Sequence, residues 1–273
     1  MLAIATSREE LATLSAVLHQ FGAEIVDIAA PGGDRLVALA AVVDEWSTES
    51  SAARLRAAGY MAVTRPDRGA GLIAWERNTV PVTFGDRLSV CLAWSEHDRA
   101  GLANLIELGP GGFGSGHHPT TRMIIEDLIE RIMGGERVLD VGCGSGVLSL
   151  AAARLGAASC IGVDRKPEAV EATDRNASLN GMSDRVHATG ADMGAIPGPF
   201  DLVLANIARA GIVALADELA AQVADGGHLV LSGITPRQCD QVAEFLGPLV
   251  ETDRKIEGDW AVIVLGRVTA GQP

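Results

Sequence analysis

The stretch Asp140–Gly146 constrains the fold of this chain more than any other part of its sequence. It follows the apolar pair Val138 and Leu139 and leads into a helical apolar pattern that begins at Val147. A strand, a tight glycine turn and a helix in this order form the nucleotide-binding corner of an open α/β sheet. The sequence therefore predicts an α/β protein with a doubly wound, Rossmann-like sheet.

The spacing of the glycines in this turn indicates which nucleotide the corner suits. Dinucleotide-binding folds use G-x-G-x-x-G, in which the glycines leave room for a pyrophosphate at the helix N-terminus. Here Gly142, Gly144 and Gly146 give G-x-G-x-G, and the branched Val147 stands at the third glycine's place. Asp164 ends the next apolar strand, 22 positions after Gly142, where a carboxylate can accept from both hydroxyls of a ribose. Loop and acid together predict S-adenosylmethionine as cofactor rather than NAD.

The chain from Pro119 onward alternates between helical and extended patterns. A helix begins at Pro119 and carries an apolar face that includes Ile124 and Leu128. Strands with helices between them are predicted near residues 137–141, 159–164, 185–189, 200–205 and 227–232, followed by tail strands near 249–256 and 260–266. Alternating strands and helices indicate a mostly parallel sheet that is covered on both faces.

The first 65 residues predict a small α+β domain. A strand at residues 2–5 precedes a helix that begins with the capping box Ser7–Glu10. Two further strands, at 24–29 and 36–43, flank a hairpin turn, and a second helix at 46–58 leads to a strand at 61–64. This β-α-β-β-α-β order is that of a ferredoxin-like unit. We therefore predict a small α+β domain at 1–65, a linker at 66–80, a large α/β domain at 81–268 and a tail at 269–273.

Polar residues and glycines stand at or just after the carboxyl ends of the predicted strands, where doubly wound sheets bind their ligands. The candidates for cofactor binding are Asp140, Gly142, Gly144, Gly146, Asp164, Asp192 and Asn206. Asp192 could accept from the adenine amino group, or it could be a solvated loop acid. Asn206 could present its amide carbonyl to the reacting nucleophile, or it could cap the helix that follows.

A second glycine-rich stretch runs from Gly109 to Thr121. Five glycines around Phe113 predict a mobile lid with an apolar anchor, which would exclude water from the site. Phe113 and Ser115 are therefore candidates for closure over the reacting groups. His117 and His118 are neighbours without a third ligand at suitable spacing, so no metal site is predicted.

Charge and composition limit the class of partner. The formal net charge of −13 repels phosphates and favours a basic protein or a small molecule over a nucleic acid. No run of about 18 uncharged apolar residues is present, so no membrane span is predicted. The N-terminus lacks a basic leader, and the four cysteines are scattered. We therefore expect a cytoplasmic protein that is a monomer or a weak oligomer.

The run FGSGHHPTT at residues 113–121 closely resembles a signature of the ribosomal protein L-eleven methyltransferases, the PrmA family. The stretches LDVGCGSG, VLANI and GGHLVLSGI and the pair Asp259-Trp260 resemble that family in the same order. The likeness spans roughly residues 75–267. The chain departs from the family pattern at Gly109–Gly111 and at Arg165-Lys166, where a second acid is replaced by cations.

The resemblance implies an S-adenosylmethionine-dependent enzyme that trimethylates amino groups of a basic large-subunit ribosomal protein, with the small domain at 1–65 recognising that substrate. By motif match, its cofactor contacts are Thr121, Gly142, Asp164 and Asn206. Asn206 and the main chain around it would position the nucleophile, and no dedicated general base is visible in the sequence. Two alternatives stay open: a small-molecule methyltransferase with the same catalytic domain, and a non-catalytic S-adenosylmethionine-binding protein.

Overall fold

The computed structural model describes residues 80–95, 97–109 and 114–268, together with four strands and a few helical positions among residues 2–64. Two compact units divide the chain: residues 1–82 with 91–100, and residues 83–90 with 101–273. Phe113, the predicted linker before Val80 and most of the two predicted N-terminal helices lie outside the described residues.

The first unit contains a four-stranded antiparallel sheet in the order β2-β3-β1-β4. Its strands are β1 (Leu2–Ser7), β2 (Ala23–Gly32), β3 (Arg35–Val42) and β4 (Met61–Thr64). All four were predicted within two or three residues of their observed ends. Helical residues are described at positions 13–14, 17–18 and 55, and the leucines Leu14, Leu18 and Leu55 are fully buried. The described leucines of the two predicted helices are therefore buried.

A three-stranded sheet follows, formed by β5 (Val82–Phe84), β6 (Leu88–Leu92) and β7 (Leu105–Leu108). These strands confirm the extended segments predicted in residues 81–94 and 102–108. Beyond them the chain enters the large α/β sheet, whose elements alternate in sequence.

The large sheet has seven strands in the order β10-β9-β8-β11-β12-β14-β13. Its strands are β8 (Arg137–Val141), β9 (Ser159–Val163), β10 (Val186–Thr189), β11 (Phe200–Asn206), β12 (Val223–Ile234), β13 (Val250–Glu257) and β14 (Trp260–Gly266). The helices are α1 (Pro119–Arg131), α2 (Val147–Leu155), α3 (Pro167–Leu179), α4 (Arg209–Ala214), α5 (Ala216–Gln222) and α6 (Cys239–Phe245). The strands β8 to β12 are parallel and only β14 runs against its neighbours, so the predicted mostly parallel sheet is confirmed.

Alternate residues of the central strands bury both faces of this sheet. Val203 and Ala205 of β11 belong to an apolar core cluster that includes α4, α5 and α6, whereas the intervening Leu204 points to the opposite face and is equally buried. Each fully buried Leu, Ile or Val contributes about 1.5–3 kcal/mol relative to exposure. The two layers of helices are therefore held to the sheet by apolar burial on each side, as the sequence predicts.

One predicted feature is wrong. A helix was expected between every pair of parallel strands, but β10 and β11 are joined by a connection with only a short 3-10 turn, Met193–Ala195. Residues 190–199 contain Gly190, Gly194, Pro197, Gly198 and Pro199, and so many breakers prevent a regular helix.

The parallel register brings four strand ends to one edge of the sheet. Val141 of β8 is paired with Val163 of β9 and with Ala205 of β11, and Val163 is paired in turn with Thr189 of β10. The chain runs outward from β8 through β9 to β10 and then returns to β11 on the other side. A crevice between β8 and β11 follows from this reversal, and doubly wound sheets bind their ligands there.

The segment after β11 is fixed by two glycines in left-handed backbone conformation. A Cβ at Gly142 (φ 78°) would overlap the side chain of Ile207, and a Cβ at Gly233 (φ 84°) would overlap the Ile207 carbonyl. Only glycine allows both the conformation and this close approach. Ile207 is therefore held between the glycine loop and β12, which fixes the position of the preceding Asn206.

Candidate active site

The glycine loop after β8 adopts the predicted tight turn. Gly142, Gly144 and Gly146 have φ angles of 78°, 58° and 77°, which side chains rarely permit. The N–H of Gly142 donates to the carbonyl of Val163 at 2.7 Å, and that of Gly146 donates to the carbonyl of Cys143 at 2.8 Å. The loop is thus a closed hydrogen-bonded turn that leads directly into α2.

Asp164 follows β9 and faces this loop. Its Oδ2 accepts from the N–H of Gly144 at 3.2 Å, and its Oδ1 accepts from the N–H of Lys166 at 3.0 Å. A carboxylate has about four acceptor positions, so each oxygen can accept a further hydrogen bond. The half-buried Asp164 is therefore oriented by backbone donors while it keeps capacity for a ligand. Arg165 and Lys166, the two cations that follow Asp164, are exposed.

Asp140 has a different environment from Asp164. It is 1% exposed, and its Oδ2 accepts from the N–H and the hydroxyl of Ser149 at 3.2 and 2.7 Å. Burial raises the pKa of this carboxyl to about 6, against the opposing effect of the Ser149 hydrogen bonds. These contacts attach the end of β8 to the first turn of α2, which is a structural role. Contact between Asp140 and a ligand stays a prediction.

Asp192 lies beyond the end of β10, where it is exposed. It precedes the 3-10 turn, and its backbone carbonyl accepts from the N–H of Ala195 at 2.9 Å. Its position at the edge shared by Asp164 and Asn206 agrees with the strand-end placement, and its contact with an adenine amino group stays a prediction.

Asn206 is joined to the start of α1. Its side-chain Nδ2 donates to the hydroxyl of Thr121 at 3.3 Å, across 85 positions of sequence. The helix that follows begins after Ala208, without a side-chain cap, so the alternative of Asn206 as a helix cap is wrong. The NH₂ group of Asn206 is a donor only, so the amide carbonyl is the group that would accept from a nucleophile, and that contact stays a prediction.

The segment leading into α1 contacts the glycine loop. Ser115 is 9% exposed, and its Oγ lies 3.2 Å from Nδ1 of His117. The carbonyl of the preceding Gly114 accepts from the hydroxyl of Ser145 at 2.6 Å. Gly116 packs against Val90, since a Cβ there would lie 3.2 Å from Cγ1 of that valine. The described part of the predicted lid is thus hydrogen-bonded to the glycine loop, and its closure over the cofactor stays a prediction.

His118 caps the N-terminus of α1. Its Nδ1 accepts from the N–H of Thr120 at 3.3 Å and lies 2.7 Å from the Thr120 hydroxyl. The imidazole packs edge to face on Trp260, with ring centroids 4.9 Å apart. Burial lowers the pKa of His118 to about 4, so the neutral ring caps the helix near neutral pH. Among the described residues no three His, Cys, Asp or Glu side chains are grouped as metal ligands.

Three residues that contact the predicted site were missed from the sequence: Ser145, Asn176 and Thr173. Ser145 lies inside the glycine motif, but its partner Gly114 is 31 positions away. Asn176 and Thr173 lie on α3, where their spacing of three residues placed them on one face of the helix, without indicating what that face contacts.

No helix in the described ranges is long and apolar enough to span a membrane.

The titration of His118 predicts how acid affects stability. A folded pKa near 4, below the ordinary 6.5, contributes stability that is complete above pH 6.5 and is lost as the pH falls toward 4. His118→Asn retains a capping acceptor but does not titrate in this range. Chemical unfolding of both proteins from pH 8 to pH 4 should show the wild type losing up to about 3 kcal/mol relative to the variant. A difference in unfolding free energy that is independent of pH would contradict the assignment.

Comparison with known proteins gives the family of the chain. The family model for the ribosomal protein L11 methyltransferase (PrmA) matches residues 70–267. The ribosomal protein L11 methyltransferase of Geobacter sulfurreducens is 43% identical over 195 residues, which are 70% of this chain and 64% of that protein. The protein of the same name from Alkalilimnicola ehrlichii is 37% identical over 246 residues, 84% of this chain and 80% of that protein.

A solved structure has the same fold. The ribosomal protein L11 methylase of Lactobacillus delbrueckii subsp. bulgaricus superimposes with a TM-score of 0.62 and 27% identity, over 69% of this chain and 98% of that one.

The match with the Geobacter sulfurreducens and Citrifermentans bemidjiense proteins spans 64% and 63% of their lengths, slightly less than two thirds. The family match and these identities show that the chain belongs to the ribosomal protein L11 methyltransferase family.

Proposed function

We propose that this protein is an S-adenosylmethionine-dependent methyltransferase that methylates lysine and α-amino groups of ribosomal protein L11. The observation that carries the proposal is the hydrogen bond between Asn206 and Thr121 at the sheet edge that also holds Gly142 and Asp164. The names of the relatives supply the substrate, and the arrangement of these residues suits methyl transfer to an amine.

The residues at this edge fit the cofactor. Asp164 is oriented by the N–H groups of Gly144 and Lys166 and has acceptor capacity for both hydroxyls of a ribose. The N–H of Gly144 directs the glycine loop toward this carboxylate, and Asp192 stands at the next strand end for the adenine. When bound, S-adenosylmethionine supplies a methyl group on a positively charged sulfur, which needs no metal or acid to activate it.

The chain's task is then to present a neutral amine in the correct direction. The ordinary lysine pKa of about 10.4 must be lowered, and removal from water favours the uncharged amine. In this proposal the Asn206 carbonyl accepts one N–H of the amine, which directs the nitrogen lone pair toward the methyl carbon. Thr121 holds the amide so that its carbonyl, and not its NH₂ group, faces the substrate. Phe113 and Ser115 are proposed to keep water from the reacting groups.

The N-terminal unit is proposed to recognise the ribosomal protein. In its sheet the strand β1, from the first half of the unit, lies between β3 and β4 of the second half. This alternation of strands from the two halves supports a ferredoxin-like domain over residues 1–65. Residues 66–80 would be the linker to a catalytic domain at 81–268. The net charge of −13 favours a basic protein substrate over a nucleic acid, and a ribosomal substrate supports a cytoplasmic location.

A transfer assay tests the activity. The full chain should move a labelled methyl group from S-adenosylmethionine to purified ribosomal protein L11, and mass spectrometry of its peptides should locate the label on lysine or N-terminal amines. Transfer should weaken as salt screens the acidic surface. Transfer to a small amine but not to the protein would favour the small-molecule alternative. Cofactor binding without transfer to either acceptor would favour the non-catalytic alternative.

The role of Asp164 predicts a loss of cofactor affinity. Asp164→Ala removes two charge-assisted hydrogen bonds of about 1.5–3 kcal/mol each, so calorimetry should show S-adenosylmethionine binding at least about a hundredfold weaker. Asp184→Ala is the matched control, because this exposed acid precedes β10 and lies at the opposite end of that strand. The Asp184→Ala variant should bind S-adenosylmethionine as tightly as the wild type does. Equal affinity in the folded Asp164→Ala variant would remove Asp164 from the site.

A further inference from the structure

The buried side chain of Asn176, on α3, uses both ends of its amide to hold site segments. Its Oδ1 accepts from the N–H of Gly109 at 2.7 Å, and its Nδ2 donates to the carbonyl of Ser145 at 2.8 Å. Asn176 is 2% exposed, so loss of either partner would leave a buried polar group unpaired. Ser145 lies between two glycines of the loop beside Asp164, which means that α3 holds this loop from outside.

The chain of hydrogen bonds continues through Ser145. Its hydroxyl donates to the carbonyl of Gly114 at 2.6 Å, and Gly114 opens the segment that leads to Thr121. Gly109 is the residue directly after β7. One relay, from Gly109 through Asn176 and Ser145 to Gly114, therefore joins the segment after β7, the glycine loop and the approach to α1.

A second side chain of α3 supports the same loop. The hydroxyl of Thr173 donates to the carbonyl of Gly144 at 3.3 Å, one residue before the carbonyl that Asn176 holds. The fit is close, since a Cβ on Gly109 would lie 3.0 Å from the Asn176 Oδ1 and a Cβ on Gly146 would lie 2.7 Å from Cγ2 of Thr173. Two consecutive carbonyls of the loop, those of Gly144 and Ser145, thus point toward α3. Because peptide groups are planar, this sets the orientation of the two peptide planes to which they belong.

We propose that Asn176 is a positioning residue of the active site, which acts through Ser145 to set the glycine loop and the approach to Thr121 in the geometry needed for cofactor binding and methyl transfer. The inference rests on the proposed function. The inference goes beyond the proposed function because Asn176 lies on α3, outside the glycine loop and away from the strand ends. It assigns to this buried amide the positioning of two segments that meet at the reacting edge.

Asn180, which follows α3 directly and caps its C-terminus, provides a control. It lies four residues after Asn176, and its amide accepts from the N–H of Glu107 at 2.9 Å and donates to the carbonyl of Glu107 at 2.7 Å. Each asparagine side chain is therefore hydrogen-bonded to the backbone at or just after β7: Asn180 to Glu107, and Asn176 to Gly109. Only Asn176 also binds the glycine loop, so the pair separates a general loss of stability from a loss of site geometry.

The experiment compares Asn176→Ala, Asn176→Asp and Asn180→Ala in the full chain by thermal unfolding, S-adenosylmethionine calorimetry and methyl transfer to ribosomal protein L11. The two alanine variants should unfold at similarly lowered temperatures. Of the two, only Asn176→Ala should bind the cofactor about tenfold or more weakly and show a lowered kcat, as expected when the buried hydrogen bond to the glycine loop is lost. Asn176→Asp keeps the acceptor for Gly109 but places a carboxylate oxygen against the Ser145 carbonyl, and it should weaken cofactor binding at least as much.

Two further measurements keep the inference open to contradiction. Ser145→Ala breaks only the last bond of the relay and should lower kcat more than it weakens cofactor binding; this variant and Asn176→Asp decide the question if Asn176→Ala does not fold. Hydrogen exchange of a peptide spanning residues 140–150 should be faster in Asn176→Ala than in Asn180→Ala, whether or not methyl transfer occurs. Wild-type affinity and kcat in Asn176→Ala, or equal losses in Asn180→Ala, would overturn the inference. Absence of cofactor binding and transfer in the wild type would instead overturn the proposed function.

Discussion

The parallel register of β8, β9, β10 and β11 is the constraint on which the candidate site depends. Backbone hydrogen bonds pair Val141 with Val163 and Ala205, so the residues that follow each strand emerge at the same edge. Shifting one strand by a single residue would exchange its two buried faces, which makes this register costly to change. Gly142, Asp164 and Asn206 are therefore brought together by the core of the sheet, and the site needs no flexible loop to assemble these three.

Backbone contacts complete what the register begins. Gly142 and Gly233 let the chain approach Ile207 more closely than any side chain would permit, and Asn206 is fixed as the neighbour of Ile207. The two acids near the loop are then separated by environment. Asp140 is buried and hydrogen-bonded to Ser149, whereas Asp164 is half-buried and oriented by backbone donors. Two carboxylates close to one loop thus serve different ends, one as an anchor and one as a candidate ligand-binding group.

Much of this architecture follows from local sequence patterns. The glycine spacing, the apolar runs and the acid after β9 predict the sheet, the turn and the position of Asp164, because each depends on neighbours within a few residues. The contact between Thr121 and Asn206 has no local signal; it was implied only through the resemblance, which placed both residues at the cofactor. Ser145 and Asn176 were missed because their side-chain partners lie 31 or more positions away. The helix wrongly expected between β10 and β11 shows the opposite error, in which a general pattern was extended over a segment rich in glycine and proline.

The central claim is that the start of α1 and the end of β11 act as one unit in methyl transfer. A double-mutant cycle tests it most directly, with Thr121→Val, Asn206→Ala and the double variant assayed by kcat/KM for methylation of ribosomal protein L11. If the hydrogen bond between these side chains positions the amide, each single variant should lose activity and the double variant should lose about 1 kcal/mol less than the sum of the two losses. Strictly additive losses, or wild-type activity in Thr121→Val, would contradict the account.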